Sequence, residues 1–137
     1  MYVHFVFSAT GIGFSAYAST TQSCEAGKLL YFDIEVTDIG GCYNNDISVF
    51  VCPYDGLYLF SLSAESPDGK QVHASIMEED VRLLSAYHGE IDFGQGSTTV
   101  VTECSASQTV WVECSGHGTL HSQQESSFSG VLITQYV

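Results

Sequence analysis

The chain has 137 residues, 16 of them acidic and 3 basic, and a formal net charge of −13 at pH 7. So little Lys and Arg makes a surface that repels nucleic acid and anionic membrane, which excludes both as partners, and no apolar run reaches the length of a membrane span. With 45 % hydrophobic, 12 % aromatic and 14 % charged residues, residues 1–137 have the make-up of one globular domain around one core.

The opening MYVHFVFSAT is apolar but has neither a basic start nor a convincing cleavage site, so it reads as a first strand rather than a signal peptide. Next comes the turn TGIG, where Gly11, Gly13 and Ala16 imitate a dinucleotide-binding fingerprint, with Asp33 at about the right distance. That chemistry needs a helix N-terminus to receive the pyrophosphate. FSAYASTTQSCEAGK is a poor helix, so a glycine-rich loop is expected instead. Short β-rich runs then recur as LLYFDIEV, SVFVC, LYLFSLSA, QVHASIM, VRLLSAY, STTVVTEC, TVWVEC and FSGVLITQY. Turn chemistry such as YNND, PYDG, SPDG, HGEIDFG, SASQ and SGHG separates them. The nearest thing to a helix, ASIMEEDVRLLSAYH, fits alternation equally well. About nine or ten short strands in one domain predict an all-β antiparallel sandwich or jelly roll.

Most of these runs mix apolar and polar residues, as half-exposed strands should. LYLFSLS and FSGVLITQYV are apolar on both faces. Only one face of each sheet packs inside a two-layer sandwich, so a second face of this kind predicts cover by another subunit or by the chain's own loops.

The order Phe32-x5-Asp38-x4-Tyr43-x6-Phe50-x5-Gly56-x-Tyr58-x-Phe60 resembles the signature of the globular head domain of the complement C1q family. The family pattern adds one more aromatic, where this chain has Leu62. The opening FSA (Phe7, Ser8, Ala9), TVWVE around Trp111 and SSFSGVL around Gly130 are similar to further family landmarks, and the resemblance spans nearly the whole chain. It implies a ten-stranded antiparallel jelly-roll sandwich shared with tumour necrosis factor ligands, assembled as a homotrimer. It also implies that GLYLFSLS and FSGVLITQY are central strands beside the threefold axis. Tyr58 and Phe60 would then face the core, and Leu57, Leu59, Phe128 and Leu132 the neighbouring subunit. Burying such side chains stabilises by roughly 1.5–3 kcal/mol each.

Five cysteines, Cys24, Cys42, Cys52, Cys104 and Cys114, make an odd number. Disulfides need an oxidising compartment and leave at least one thiol unpaired or bridging chains; small buried hydrophobes are the alternative, and spacing assigns no bridge. Cys104, Cys114, His117 and His121 have plausible zinc spacing, but the four must converge, and the family likeness sends the two cysteines into different sheets. Calcium-binding members of the family use an Asp matching Asp80 and a second Asp eight residues later, where this chain has His88. Glu90 and Asp92 are placed to substitute, so calcium is carried forward with the set Asp80, His88, Glu90 and Asp92. Neither a Gly-x-Ser-x-Gly elbow nor a His-Glu-x-x-His helix is present, and no enzyme is expected.

The expected function is a secreted, extracellular recognition protein: a trimer whose loops bind microbial surface carbohydrate or other patterned ligands in innate immunity, through avidity rather than one deep pocket. The polar segments suited to sugar hydroxyls contribute Asp68 and Lys70, His88, Glu90 and Asp92, and His117, His121, Gln123 and Gln124. Two alternatives fit the same fold: a cytokine-like trimer that clamps a receptor in its subunit grooves, and an acidic matrix or body-fluid protein that sequesters calcium or heavy metals.

Overall fold

The structure, a computed structural model, describes residues 11–90 and 94–137. Within them run twelve strands and no helix: β1 (Gly13–Ala18), β2 (Gln22–Cys24), β3 (Ile34–Ile39), β4 (Tyr43–Asn44), β5 (Val49–Val51), β6 (Gly56–Ser66), β7 (Val72–Glu78), β8 (Val81–His88), β9 (Gly94–Cys104), β10 (Thr109–Cys114), β11 (Gly118–Leu120) and β12 (Gln123–Gln135). Ten of them form two five-stranded sheets, β3-β1-β12-β6-β9 and β4-β5-β10-β7-β8, and the short β2 and β11 pair with each other. Every pairing is antiparallel. This is the jelly-roll sandwich expected, with one short extra ladder. The opening stretch read as a strand, with its Phe7, Ser8 and Ala9, lies outside the described residues.

Two runs resolve differently from their simplest reading. ASIMEEDVRLLSAYH is the β7–β8 hairpin, turned at Glu79, whose φ of 52° lies in the left-handed region. LLYFDIEV serves both sheets. Its first part lies along β10, with Leu30 N–H donating to Val112 O and Cys114 N–H to Lys28 O. The chain then crosses at the buried Phe32 and enters the other sheet as β3.

The spaced aromatics converge in one core. Phe32, Tyr43, Phe50, Tyr58, Phe60 and Leu62 are all buried, Leu62 completely, so an aliphatic side chain fills the last position. The rings pack at stacking and edge-on distances: Phe14 lies 4.3 Å from Tyr43 and 5.2 Å from Phe50, and Phe50 lies 5.6 Å from Phe60. Gly130 is what lets β12 pass beneath them. A Cβ there would come within 2.6 Å of both the Phe14 and the Phe60 rings.

Along β6 burial alternates strictly: Tyr58, Phe60 and Leu62 point inward, while Leu57, Leu59 and Ser61 sit half-exposed on the outer face. On β12 the parity is the reverse of that expected. Phe128 is fully buried, 5.0 Å edge-on to Phe14, and Leu132 packs partly buried against the same core. Neither faces a neighbour. The outward residues of β12 are Ser127, Ser129, Val131 and Ile133. The register sets Ile39, Gly13, Val131, Leu59 and Val101 in one row across the outer face of this sheet, and Thr37, Ser15, Ser129, Ser61 and Thr99 in the next. One row is apolar and every residue of the other carries a hydroxyl.

Disulfides staple the two ends of the sandwich. Cys52–Cys104 sits at the end where β6 starts, and Cys24–Cys114 at the end where β10 finishes.

Candidate functional site

The end stapled by Cys24–Cys114 gathers the connections after β1, β6, β10 and β11, together with the end of β8. Its SPDGK turn is closed by Lys70 N–H donating to Pro67 O (3.0 Å), with Gly69 at a φ of 76° that favours glycine. The next residue ties this turn to the SGHG loop. Gln71 O accepts from Thr119 N–H (2.7 Å), and its Nε2 donates to His117 O (2.8 Å). A side chain at Gly118 would strike the backbone of Gln71, so the two loops touch because that residue has none.

Between them opens a cavity of about 260 Å³ lined by Lys70, Glu90, His117 and Thr119, with Ser23 at its edge. Three residues singled out from the sequence, Lys70, Glu90 and His117, thus meet. Asp68 stands exposed on the same turn. His117 Nδ1 lies 2.9 Å from Glu25 Oε1 in an exposed pair that contributes at most about 1 kcal/mol. His121 sits elsewhere: its N–H donates to Glu65 O (2.8 Å), and its ring Nε2 lies 3.8 Å from Glu65 Oε1. Gln123 and Gln124 are exposed at the start of β12, away from the cavity lining.

Two members of the calcium set, Asp80 and His88, do not come together. Asp80 lies in the β7–β8 turn and His88 at the far end of β8, where it pairs with Val72. Eight residues of extended chain separate them by about 26 Å. His88 is also committed locally, with Nδ1 3.1 Å from Ser66 Oγ and 2.9 Å from Gly89 O, and its ring fills the space a side chain at Gly94 would need. Asp92 lies outside the described residues, and among those described no group of three potential ligands converges. The zinc set fails because Cys104 and Cys114 are bonded to Cys52 and Cys24 at opposite ends. Ser66 and His88 form a serine–histidine pair, but Ser66 is fully buried and inaccessible as a nucleophile. The glycines that imitated a nucleotide fingerprint lead directly into strand β1.

Sequence reasoning missed a second, larger cavity of about 790 Å³, which shares Ser23 with the first. The loop 19–23, the segment from Lys28 to Asp33 and the β4–β5 turn at Asn45 and Asp46 form it. Burial pushes the Asp33 carboxyl up, but hydrogen bonds from Ser19 Oγ (2.6 Å) and Ser19 N–H (3.0 Å) outweigh it and leave it below its ordinary value. The sequence held one hint, Lys28 as one of only three bases; the exposure of Tyr31, 45 %, shows only in the fold.

A C1q domain model matches residues 13–133. The match starts at Gly13, so the FSA that opens it is Phe14, Ser15 and Ala16 in β1, and not Phe7 to Ala9. Among solved structures, the globular domain of zebrafish complement 1qA is similar at 18 % identity and a TM-score of 0.76, covering 91 % of this chain and 99 % of that one. The Eiger tumour necrosis factor of S. frugiperda is similar at 12 % identity and 0.73, covering 93 % and 96 %. Murine APRIL at pH 5.0 is similar at 10 % and 0.72, covering 90 % and 99 %. At these identities the likeness is one of fold.

Proposed function

The chain belongs to the C1q domain family, and on that premise we propose that it is a secreted, trimeric recognition protein binding microbial carbohydrate or similarly patterned ligands through its loop end. The observation that carries this reading is the placement of cations. In a chain of net charge −13, two of the three bases, Lys28 and Lys70, line the two adjoining cavities at that end. Hydroxyls, amides, Tyr31, His117 and the carboxylates of Asp33, Asp46 and Glu90 complete the lining, a mix of donors and acceptors that suits a hydroxyl-rich ligand rather than an apolar hot spot.

Two further features support it. The apolar row Ile39, Val131, Leu59 and Val101 on the outer sheet face, with Ile39 and Val101 more than half exposed, suits cover by a second and third copy. A trimer on that face carries three loop ends pointing the same way, and three weak sites on one repetitive surface gain avidity through effective concentration. Two disulfides suit an oxidising, extracellular compartment. These parts support a binding role.

The test is the purified protein, sized by sedimentation, on an array of microbial polysaccharides with calcium and again with chelator. Binding competed by free sugar supports the reading. Loss with chelator shows that binding needs a divalent cation. A blank array in both conditions sinks it and favours a receptor as partner.

A further inference from the structure

The larger loop-end cavity is a built site rather than a gap between loops. Gln22 holds both backbone groups of Tyr31, its Oε1 accepting from Tyr31 N–H (2.8 Å) and its Nε2 donating to Tyr31 O (2.9 Å). Lys28 Nζ donates to Ser23 O (3.1 Å) and approaches Ser23 Oγ (3.3 Å). Asn45 Nδ2 donates to Asp33 O (3.1 Å), which ties the β4–β5 turn to the same segment. Backbone bonds to β10 and the Cys24–Cys114 disulfide anchor the frame. Side chains fixed before a ligand arrives lower the entropic cost of binding it.

The lining selects among ligand classes. Tyr31, 45 % exposed as a residue, supplies an aromatic ring with an apolar face and a polar rim. An ammonium has three donors, and Ser23 occupies two of those on Lys28, leaving one for a ligand. Among the described residues no hydrogen bond occupies the Asp46 carboxylate, which therefore accepts freely. One cation against Asp33 and Asp46, in a chain of net charge −13, disfavours an anionic ligand. A divalent cation is disfavoured as well, because both Asp33 oxygens already accept from Ser19 and the Lys28 ammonium repels it. A lipid would leave the hydroxyl and amide groups of the lining without partners. What remains is a ligand with one apolar face and a rim of uncharged hydroxyls.

We propose that this groove is a saccharide subsite taking an uncharged pyranose, with the C–H face of the ring against Tyr31 and ring hydroxyls met by Lys28 Nζ and the Asp46 carboxylate. The proposal rests on the carbohydrate reading above and names the subsite and the ligand class within it.

The test uses isotope-labelled full chain, titrated by NMR with methyl glycosides of glucose, galactose, mannose and N-acetylglucosamine, and with glucuronate as an anionic control. At least one neutral glycoside is expected to bind at millimolar concentration, shifting resonances in 19–23, 28–33 and 45–46, with glucuronate weaker. Tyr31→Ala is expected to weaken that binding tenfold or more, and Tyr31→Phe to retain most of it. Arg82→Ala, on exposed β8 and outside both cavity linings, is expected to leave it unchanged. Amide spectra that overlay wild type outside the groove exclude misfolding of the variants. Sugar binding that maps to Lys70 and His117, or that Tyr31→Ala leaves intact, overturns the subsite and spares the carbohydrate reading. Tighter binding of glucuronate overturns the ligand class. No binding of any sugar here or on the array overturns both.

Discussion

Strand β6 presents two faces that differ in how they are finished. Inward, Tyr58, Phe60 and Leu62 are fully buried among rings within a single chain. Outward, Leu57 and Leu59 stay half-exposed, and the cross-strand row around Leu59 leaves Val131 43 % and Val101 54 % exposed. One face is completed by the chain itself. The other stays open, and it is the face on which the proposed trimer would form. The fold should therefore respond to damage on the inner face through its own stability, and to damage on the outer face through assembly.

The largest effect is expected at Gly130. A Cβ there lies 2.6 Å from both the Phe14 and Phe60 rings, and neither ring has free space in a core of stacked aromatics. Overpacking of this kind costs about 1–3 kcal/mol, and Gly130→Ala should fall at the upper end. A shift of the urea midpoint with an unchanged slope would show it. A variant as stable as wild type would mean that the inner face is looser than its ring distances indicate.

Second comes an alkaline loss of stability at the same face. Burial, together with the Asp33 and Glu35 charges and against a lowering contribution from Ser48, pushes the Tyr43 phenol up to about 12. Its O–H donates to Phe32 O at 2.6 Å. The folded state thus holds this proton to higher pH than the unfolded chain does. The stabilisation is intact below about pH 10 and is lost as pH rises through 12, amounting to about 2–3 kcal/mol. Stability measured from pH 9 to 12 should fall in step with a late phenolate absorbance change. Tyr43→Phe should start about 1 kcal/mol lower at neutral pH, having lost the hydrogen bond, and be flatter above pH 10.

The inner face was the more legible of the two in the sequence. Seven spaced residues, Phe32 to Phe60, carried the family likeness, and that likeness set Tyr58 and Phe60 inward, as they are. The doubled apolar pattern of β6 also signalled its outer face. Parity on β12 was not legible. FSGVLI has apolar residues at both parities, and only the packing of Phe128 against Phe14 decides which set is inside. The loop end was legible in part. Lys70 and His117 meet because Gln71 bonds across the two loops, which no spacing encodes. The groove beside Tyr31 comes from three segments and ordinary residues, and a local motif could not have announced it. Within the calcium set, Asp80 and His88 stay apart because strand geometry carries them to opposite ends of the β7–β8 ladder.

The outer face should respond differently. Leu59→Lys puts a charge into the row between Val131 and Val101. Its effect on single-chain stability should stay within about 0.5 kcal/mol, as for other solvent-facing positions. Sedimentation should show the proposed trimer dissociating at micromolar concentration. A trimer that survives would move the interface off this row, and a large loss of stability without dissociation would mean that the chain covers Leu59 itself.

The smallest effect concerns Cys42, at the rim between the faces on the β3–β4 connection. Burial, and then the Asp38 charge, push its thiol up, and its S–H points toward Gly40 O at 3.5 Å. Asp38 Oδ1 is itself buried with no hydrogen-bond partner among the described residues, so a thiolate beside it would be doubly disfavoured. Because the thiolate is the reactive form, iodoacetamide at pH 7.5 should label native Cys42 severalfold more slowly than the unfolded chain. Mass spectrometry without reductant should find this one site labelled, since the other four cysteines are bonded in pairs. Fast native labelling would show the rim opening readily, and the two faces would then not be independent, because a strand edge that opens at Cys42 exposes Tyr43 beside it.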